Sequence, residues 1–465
     1  MTFNKISMVL LLPLLLSGCG SLTKSDYQRP MLSVPAEWRV QDTGSGYLQH
    51  TEHWWDNFDD PQLSRLIGRV LTSNNDLAIA GLKLQQARLA AGLKNTNLTP
   101  TVTSATGGFS NSKQLRQGER SSDSYHSSLN LSYELDLWGR LARAREQSQW
   151  QVEATEQDRQ NTALTLIGNT AQYYWQIANL NQQIRQQKAG LEISQQTLAL
   201  VQSRYDVGAV GQLDLLQAQQ SVIGRENSYR SKQQQREEAR NALAILFNRA
   251  PTDRQAERSS LDINQDVPIA KMLPVEVIAR RPDVQSAEKS LRAALAGSDV
   301  ERLNFYPTLS LSASLSAGSS LFQQWFNHPT RTLGSSVALP FLNWNTVQLT
   351  IEKSSLEVKQ AAITFRSKVY SALSDVDNAM TQRLNYQQQK INQQQNLQLS
   401  QQRVALAHSQ YQAGSVSIKT LLDAEDALLT IESDLSDLQY NYLNATMKLW
   451  LALGGGVEKD GDITG

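Results

Sequence analysis

The chain has a single cysteine, Cys19, in 465 residues, so no disulfide can form within it. Its 44 basic and 44 acidic side chains cancel, which leaves no strong field for holding nucleic acid or an acidic surface. The five histidines are scattered, no phosphate-binding loop opens a helix and no nucleophile motif appears, so nothing points to an enzyme or a cofactor. His50, His53 and Asp56 could be drawn as a metal site. With no further ligand beside them, a packed or solvated loop accounts for them better. Long apolar runs are also missing: beyond the first residues none could cross a bilayer as a helix. Gln, Asn and Ser are abundant instead, which suits an elongated, water-contacting helical assembly better than a compact globule.

What is present begins with a targeting segment. Lys5 supplies a positive charge and residues 6–16 form an apolar run of signal-peptide length. The run ends in Leu16-Ser17-Gly18-Cys19, the pattern of a bacterial lipoprotein signal, so residues 1–18 are expected to be removed and Cys19 to be acylated. Gly20, rather than Asp, points such a lipoprotein to the outer membrane. Residues 19–60, with Pro30, Pro35, Trp38, Trp54, Trp55 and Phe58, predict an irregular tether that packs its aromatics onto the body.

A first repeat is predicted over residues 61–250. Asp60-Pro61 reads as an N-cap followed by proline at the first helical position. Leu63, Leu66, Ile67, Val70 and Leu71 continue at helical spacing through Leu77, Leu84 and Leu89 toward Pro100. From about 100 to 137 the period changes to two. Leu129, Leu131, Tyr133 and Leu135 alternate with Asn130, Ser132, Glu134 and Asp136, a strand with one apolar and one polar face, while Asn111 to Asp123 reads as an exposed loop. A helix from about Leu141 to Tyr205 would reach about 90 Å, with Leu191, Leu198 and Tyr205 seven residues apart in a coiled-coil-like seam. A turn at 206–211 and a helix to Phe247 complete the unit.

After a linker at 251–273 the plan returns over 274–456. Arg281-Pro282-Asp283 is expected to start a helix as Asp60-Pro61 does. A second hairpin is predicted at about 306–343, a long helix to Tyr411, a turn at 412–417, a helix ending near Leu453, and a polar tail at 457–465. Leu397 and Val404 take the seam positions of Leu191 and Leu198. The hairpin strands are long enough to span a bilayer when tilted. Four strands cannot close, and an open sheet edge cannot face lipid, so several chains must combine.

The turns themselves repeat. Tyr205-Asp-Val-Gly-Ala-Val-Gly-Gln-Leu-Asp-Leu-Leu-Gln-Ala218 returns as Tyr411-Gln-Ala-Gly-Ser-Val-Ser-Ile-Lys-Thr-Leu-Leu-Asp-Ala424, with a glycine at each bend. Lys419 and Asp423 lie four apart, on one helix face.

Read together with Tyr27-Gln-Arg-Pro30, Asp60-Pro-Gln-Leu63, Asn75-Asp-Leu77, Tyr133-Glu-Leu-Asp-Leu-Trp-Gly-Arg140, Tyr306-Pro-Thr-Leu309 and Leu421-Leu-Asp-Ala424, the whole mature chain resembles the TolC-like outer membrane factors, in their acylated branch. The resemblance implies a membrane α+β fold: a homotrimer whose twelve-stranded β-barrel, four strands per chain, continues into a long periplasmic α-helical barrel. It implies a passive exit duct in the outer membrane lipid, served by a periplasmic adaptor and an inner-membrane efflux transporter. It implies that Val207, Gly208, Ala209, Ala413, Gly414 and Ser415 form the adaptor-contacting tips, and that Asp423, with Lys419, Tyr411 and Asp214, belongs to a periplasmic gate. Asp214 matches an aspartate that ties neighbouring tips through a tyrosine, here Tyr411, and an arginine. Val416 stands in that arginine's place, so that salt bridge is lost. Lys419 replaces an apolar constriction residue. The alternative is a periplasmic coiled-coil structural or adaptor lipoprotein, which would explain the helices and Cys19 but not two alternating hairpins.

Overall fold

The computed structural model describes residues 23–39, 53–113, 115, 121–267, 269 and 274–455. The expected signal segment, Cys19, His50 and the tail lie outside the described residues. In chain order the elements are α1 (Pro61–Ser73), α2 (Asn75–Asn95), β1 (Thr101–Ser112), β2 (Ser122–Leu135), α3 (Arg140–Asp206), α4 (Gln212–Leu246), α5 (Pro274–Arg280), α6 (Pro282–Leu303), β3 (Thr308–Ser319), β4 (Thr330–Ala338), α7 (Trp344–Gln412) and α8 (Ile418–Ala452). The duplication is visible in their sizes: α3 and α7 have 67 and 69 residues, and α4 and α8 have 35 each.

Contacts divide the chain into two units, one of residues 1–32, 82–157 and 285–368, the other of 33–81, 158–284 and 369–465. The first unit contains the single described sheet, four antiparallel strands in the order β1-β2-β3-β4. Its register sorts most of the side chains by face, with Ser335 and Arg331 standing opposite Leu311 and Leu315 as exceptions. Leu129, Leu131, Tyr133 and Leu135 pair with Leu315, Ala313, Leu311 and Leu309, and Leu309 and Ala313 pair in turn with Val337 and Leu333. The alternate positions pair Ser128, Asn130 and Ser132 with Ser316, Ser314 and Ser312, and Ser314 and Ser312 with Thr332 and Gly334. Because successive strand residues point to opposite sides, one face is mainly apolar and the other is lined mainly by hydroxyls. β2 begins earlier than the alternation suggested, at Ser122, because Phe109 and Tyr125 form a cross-strand aromatic pair with centroids 5.0 Å apart. β4 ends at Ala338, so Leu339 and Phe341, expected in the strand, fall beyond it.

The junction after β2 explains the Asp136-Leu-Trp-Gly-Arg140 motif. Gly139 adopts φ 78, and the Asp136 carboxylate turns back to accept from the amides of Leu141 (2.9 Å) and Ala142 (2.7 Å), capping α3. Trp138 donates its indole N–H to the Pro307 carbonyl at 2.8 Å, and Arg140 pairs with Glu134 at 2.6 Å. In the same unit, residues 23–29 form a strap. Ser25 is bound to Asp299 of α6, and Tyr27 reaches Glu288 beneath the Arg292 guanidinium. Burial and Glu288 together push the Tyr27 hydroxyl up to about 12.

The second unit has the main apolar core. Trp54, Trp55 and Phe58 of a short helical turn pack with Leu63, Ile67 and Val70 of α1, Tyr174 and Trp175 of α3, Leu243 of α4 and Trp450 of α8. Trp54 stacks on Trp450 at 5.5 Å. Asp60 caps α1 as its position before proline requires, accepting from Gln62 and Leu63 at 3.1 Å each, and also binds Arg258 of the linker at 3.0 Å. Arg383 fastens the same linker, donating to the Val267 carbonyl at 2.9 Å and to the Tyr442 hydroxyl at 3.0 Å.

Two expectations are corrected. The helix expected from Asp60 toward Pro100 breaks at Asn74, whose side chain accepts from the amides of Asp76 (2.8 Å) and Leu77 (3.2 Å) and so starts α2 afresh. The start at Arg281-Pro282 repeats this break, not the one at Asp60-Pro61. Asp76 corresponds to Asp283, so α1 and α2 correspond to α5 and α6, and the short α5 belongs to the duplicated plan.

Candidate functional site: the paired helix tips

Both helix reversals belong to the second unit and are built alike. At the first, Gly208 takes φ 74, its amide bonds to the Tyr205 carbonyl at 2.9 Å, and the Ala209 amide reaches back to Arg204 at 2.8 Å. At the second, Gly414 takes φ 72, its amide bonds to Tyr411 at 3.0 Å, and the Ser415 amide bonds to Gln410 at 3.0 Å. Each is a Schellman cap with glycine at the left-handed position. A Cβ at either glycine would meet nothing within 4 Å, so within one chain the backbone angle, not crowding, requires glycine. Val207, Gly208, Ala209, Ala413, Gly414 and Ser415 are all exposed.

Beneath the turns lies a small core of Val201, Ala218, Ala407, Tyr411, Ile418, Leu421, Leu422 and Ala424, with Val210 and Val416 packed against it. Tyr411 is therefore buried. Its hydroxyl has no hydrogen-bond partner among the described residues, and Asp214 does not reach it within the chain. Arg204, which the sequence reading passed over, covers the ring instead. Its guanidinium lies 4.7 Å from the ring centroid and donates to the carbonyls of Tyr411 (3.3 Å) and Gln412 (3.2 Å), closing the end of α7.

Lys419 and Asp423 do meet: the ammonium lies 2.9 and 2.7 Å from the two carboxylate oxygens, with both side chains largely exposed. They line a groove of about 630 Å³ between α4 and α8, with Gln217, Ser221 and Arg225 opposite. Arg225 is the second residue that sequence reasoning missed. Its guanidinium is buried 2.9 Å from Asp426 and 3.7 Å from Glu425. Burial raises the Glu425 carboxyl above its ordinary range, against the pull of Arg225. The signal lay in the repeat: Ile431 occupies the corresponding place in the second copy, so an arginine there departs from the duplicated pattern.

No grouping of His, Cys, Asp and Glu able to hold a metal occurs among the described residues. His53 is exposed and stacks on Trp55 at 5.2 Å. The features that recur are structural: a two-faced open sheet, long paired helices and duplicated tips.

A family model for outer membrane efflux proteins matches residues 66–249 and 273–455. The chain belongs to that family. Among its relatives, this outer membrane efflux protein is 30% identical over 457 residues to the pyoverdine export outer membrane protein OpmQ of Pseudomonas aeruginosa, with 96% of each chain covered. It is 29% identical over 450 residues to the cation efflux system protein CusC of Escherichia coli, covering 95% of this chain and 97% of that one. A CusC crystal structure superposes with a TM-score of 0.83 at 27% identity, over 93% of this chain and 99% of the other. The probable outer membrane lipoprotein SilC of Salmonella typhimurium is 28% identical over 464 residues, covering 95% and 96%. The fold class is the one expected, the membrane α+β fold of the trimeric outer membrane efflux channels. The function is that of an outer membrane exit duct for efflux, and this selects the duct over a coiled-coil structural or adaptor lipoprotein.

Proposed function

We propose that three copies of this efflux protein close a duct whose narrow periplasmic end is made by the paired tips, with Lys419 and Asp423 of each copy lining the constriction. The observation that bears most weight is the sheet register. One face is mainly apolar, the other mainly hydroxyl-lined, and both β1 and β4 are open edges. Unpaired edges are untenable in lipid, so β4 of one copy pairs with β1 of the next, placing the leucines outward and the serines around water. Exposed Leu349, Leu356 and Ile363, seven residues apart on α7, form an uncovered stripe in the same unit that suits a neighbouring copy. Transport through such a duct is passive. An inner-membrane transporter supplies energy, and a periplasmic adaptor seats on the exposed turns around Gly208 and Gly414. Acylated Cys19 holds the chain to the outer membrane, as the lipoprotein name of SilC supports. Which molecules pass is set by the pump, since a lumen of serines, asparagines and glutamines discriminates by size and charge.

Single-channel recording of purified trimers in planar bilayers tests the constriction. Replacing Lys419 and Asp423 together by Ala is expected to raise conductance. An unchanged conductance in intact trimers sinks the assignment of the gate to these residues.

A further inference from the structure

Behind the apolar tip core is a layer of charge that the exit-duct function does not by itself require. Arg225 of α4 and Glu425 of α8 each expose only 6% of their side chains. The guanidinium Nη2 is 2.9 Å from Asp426 Oδ1 and 3.7 Å from Glu425 Oε2. Glu425 Oε1 accepts from the Thr197 hydroxyl of α3 at 3.4 Å. Gly190 of α3 makes the room: a Cβ there would lie 2.9 Å from Arg225 Nη1. The layer therefore joins helices from both copies of the repeat. It is not inherited from the repeat, because Arg225 and Glu425 correspond to Ile431 and Gln219 in the opposite copies.

A buried ion pair is a poor source of stability compared with packed apolar side chains. This one is also incompletely satisfied: Arg225 Nε and Nη2 and Glu425 Oε2 have no hydrogen-bond partner among the described residues, so Arg225 is held to Asp426 and Glu425 by charge alone. Such an arrangement fixes one geometry while it stays dry, yet parts readily. When α8 moves from α4, both charges recover water, so separation costs less than it would for an apolar contact of the same size. The layer borders the groove that contains Lys419 and Asp423.

We propose that Arg225 is a positioning residue for conduction: through Asp426 and Glu425 it holds α8 against α4, and so keeps Lys419 and Asp423 in the constricted arrangement. The inference rests on the reading that the tips form the narrow end of the duct.

The test is single-channel conductance of detergent-purified trimers, alongside their heat stability on gels. Arg225→Gln is expected to raise conductance several-fold, and Arg225→Lys, which keeps the charge, to stay near wild type. Glu425→Gln is expected to stay near wild type because Asp426 still holds the guanidinium, whereas Asp426→Asn is expected to raise conductance. If Arg225→Gln does not assemble, Asp426→Asn, at an exposed partner, decides in the same way. Wild-type conductance in these variants, with the joint replacement of Lys419 and Asp423 by Ala raising it, overturns the role of Arg225 and leaves the gate standing. Wild-type conductance in all of them, that joint replacement included, removes the gate reading itself. Equal opening by Arg225→Gln and Arg225→Lys also overturns the proposal, since loss of packing rather than of charge would then be the cause.

Discussion

Replacing Ser25 by Ala should free the N-terminal strap without disturbing the rest of the fold. The Asp299 carboxylate, only 2% exposed, is where three segments meet. It accepts from the Ser25 amide (3.0 Å) and hydroxyl (2.6 Å), from Arg143 of α3 (2.9 and 2.6 Å), and from Arg302 of α6 (2.9 Å). Ser25→Ala removes the hydroxyl bond and leaves the ion pairs in place. A hydrogen bond to a charged group contributes about 1.5–3 kcal/mol, so the population with the strap peeled away should rise by roughly 10- to 150-fold, at 1.4 kcal/mol per factor of ten. The Lys24–Ser25 peptide bond reports that population. Trypsin can cut it only when the strap is off, and when closing outpaces cleavage the rate tracks the open fraction. Folded trimers digested briefly and read by mass spectrometry should show cleavage at Lys24 accelerated by that factor, with other sites unchanged. Asp299→Asn should do more, because it removes the charge that Ser25, Arg143 and Arg302 share and leaves Glu146 as the remaining carboxylate beside Arg143. Cleavage of Ser25→Ala within about twofold of wild type, a difference under 0.5 kcal/mol, would refute the idea that this bond fastens the strap.

Gly208→Ala or Gly414→Ala places a Cβ at φ 74 or 72 in open space, so the cost is backbone strain of about 1–2 kcal/mol. Hydrogen exchange at the Ala209 or Ser415 amide should accelerate roughly 5- to 30-fold, with trimers intact. Leu356→Asp with Ile363→Asp puts charge into the exposed apolar stripe of α7, losing about 1.5–3 kcal/mol of burial for each side chain. Crosslinking should then show monomers in place of trimers. The last prediction concerns pH. The Glu425 carboxyl is raised by burial, with Asp426 adding to the rise and Arg225, Thr197 and His408 of α7 opposing it. A raised carboxyl favours the packed tip below the ordinary carboxylate range, and that contribution fades as pH rises through the raised value. Conductance should therefore fall on mild acidification, and Glu425→Gln should flatten the response.

Periodicity reveals what is repeated along one element, and here that was most of the fold. The alternation of Leu129, Leu131, Tyr133 and Leu135 located β2, and the glycines at 208 and 414 located both reversals, because a left-handed residue in a helix cap is a local demand. The break at Asn74 escaped because apolar spacing runs on across it. A capping asparagine inside a helical pattern reads like any polar surface residue until its side chain is seen on the Asp76 and Leu77 amides. Arg204, Arg225 and the Arg143–Asp299 pair escaped for a different reason. An arginine on a polar helix is ordinarily solvated, and its burial is decided by segments far away: Arg143 and Asp299 are 156 positions apart. Long-range polar pairing leaves no period to read.

Duplication gives two hairpins the same backbone, and in a symmetric assembly two identical hairpins would have no reason to occupy different roles. Among the side chains that break the equivalence are several charged ones, and two of them act between copies rather than within one. Arg204, whose counterpart is Gln410, leaves the first tip to close the end of α7 over Tyr411. Arg225, whose counterpart is Ile431, leaves α4 to meet Glu425 and Asp426 on α8. Lys419 and Asp423, whose counterparts are Leu213 and Gln217, stand only on the second hairpin. The first copy thus supplies the cations that fix the second copy's position, and the second displays the charged pair at the groove. In the proposed gate, this division of charge makes the first hairpin the part that stays and the second the part that moves.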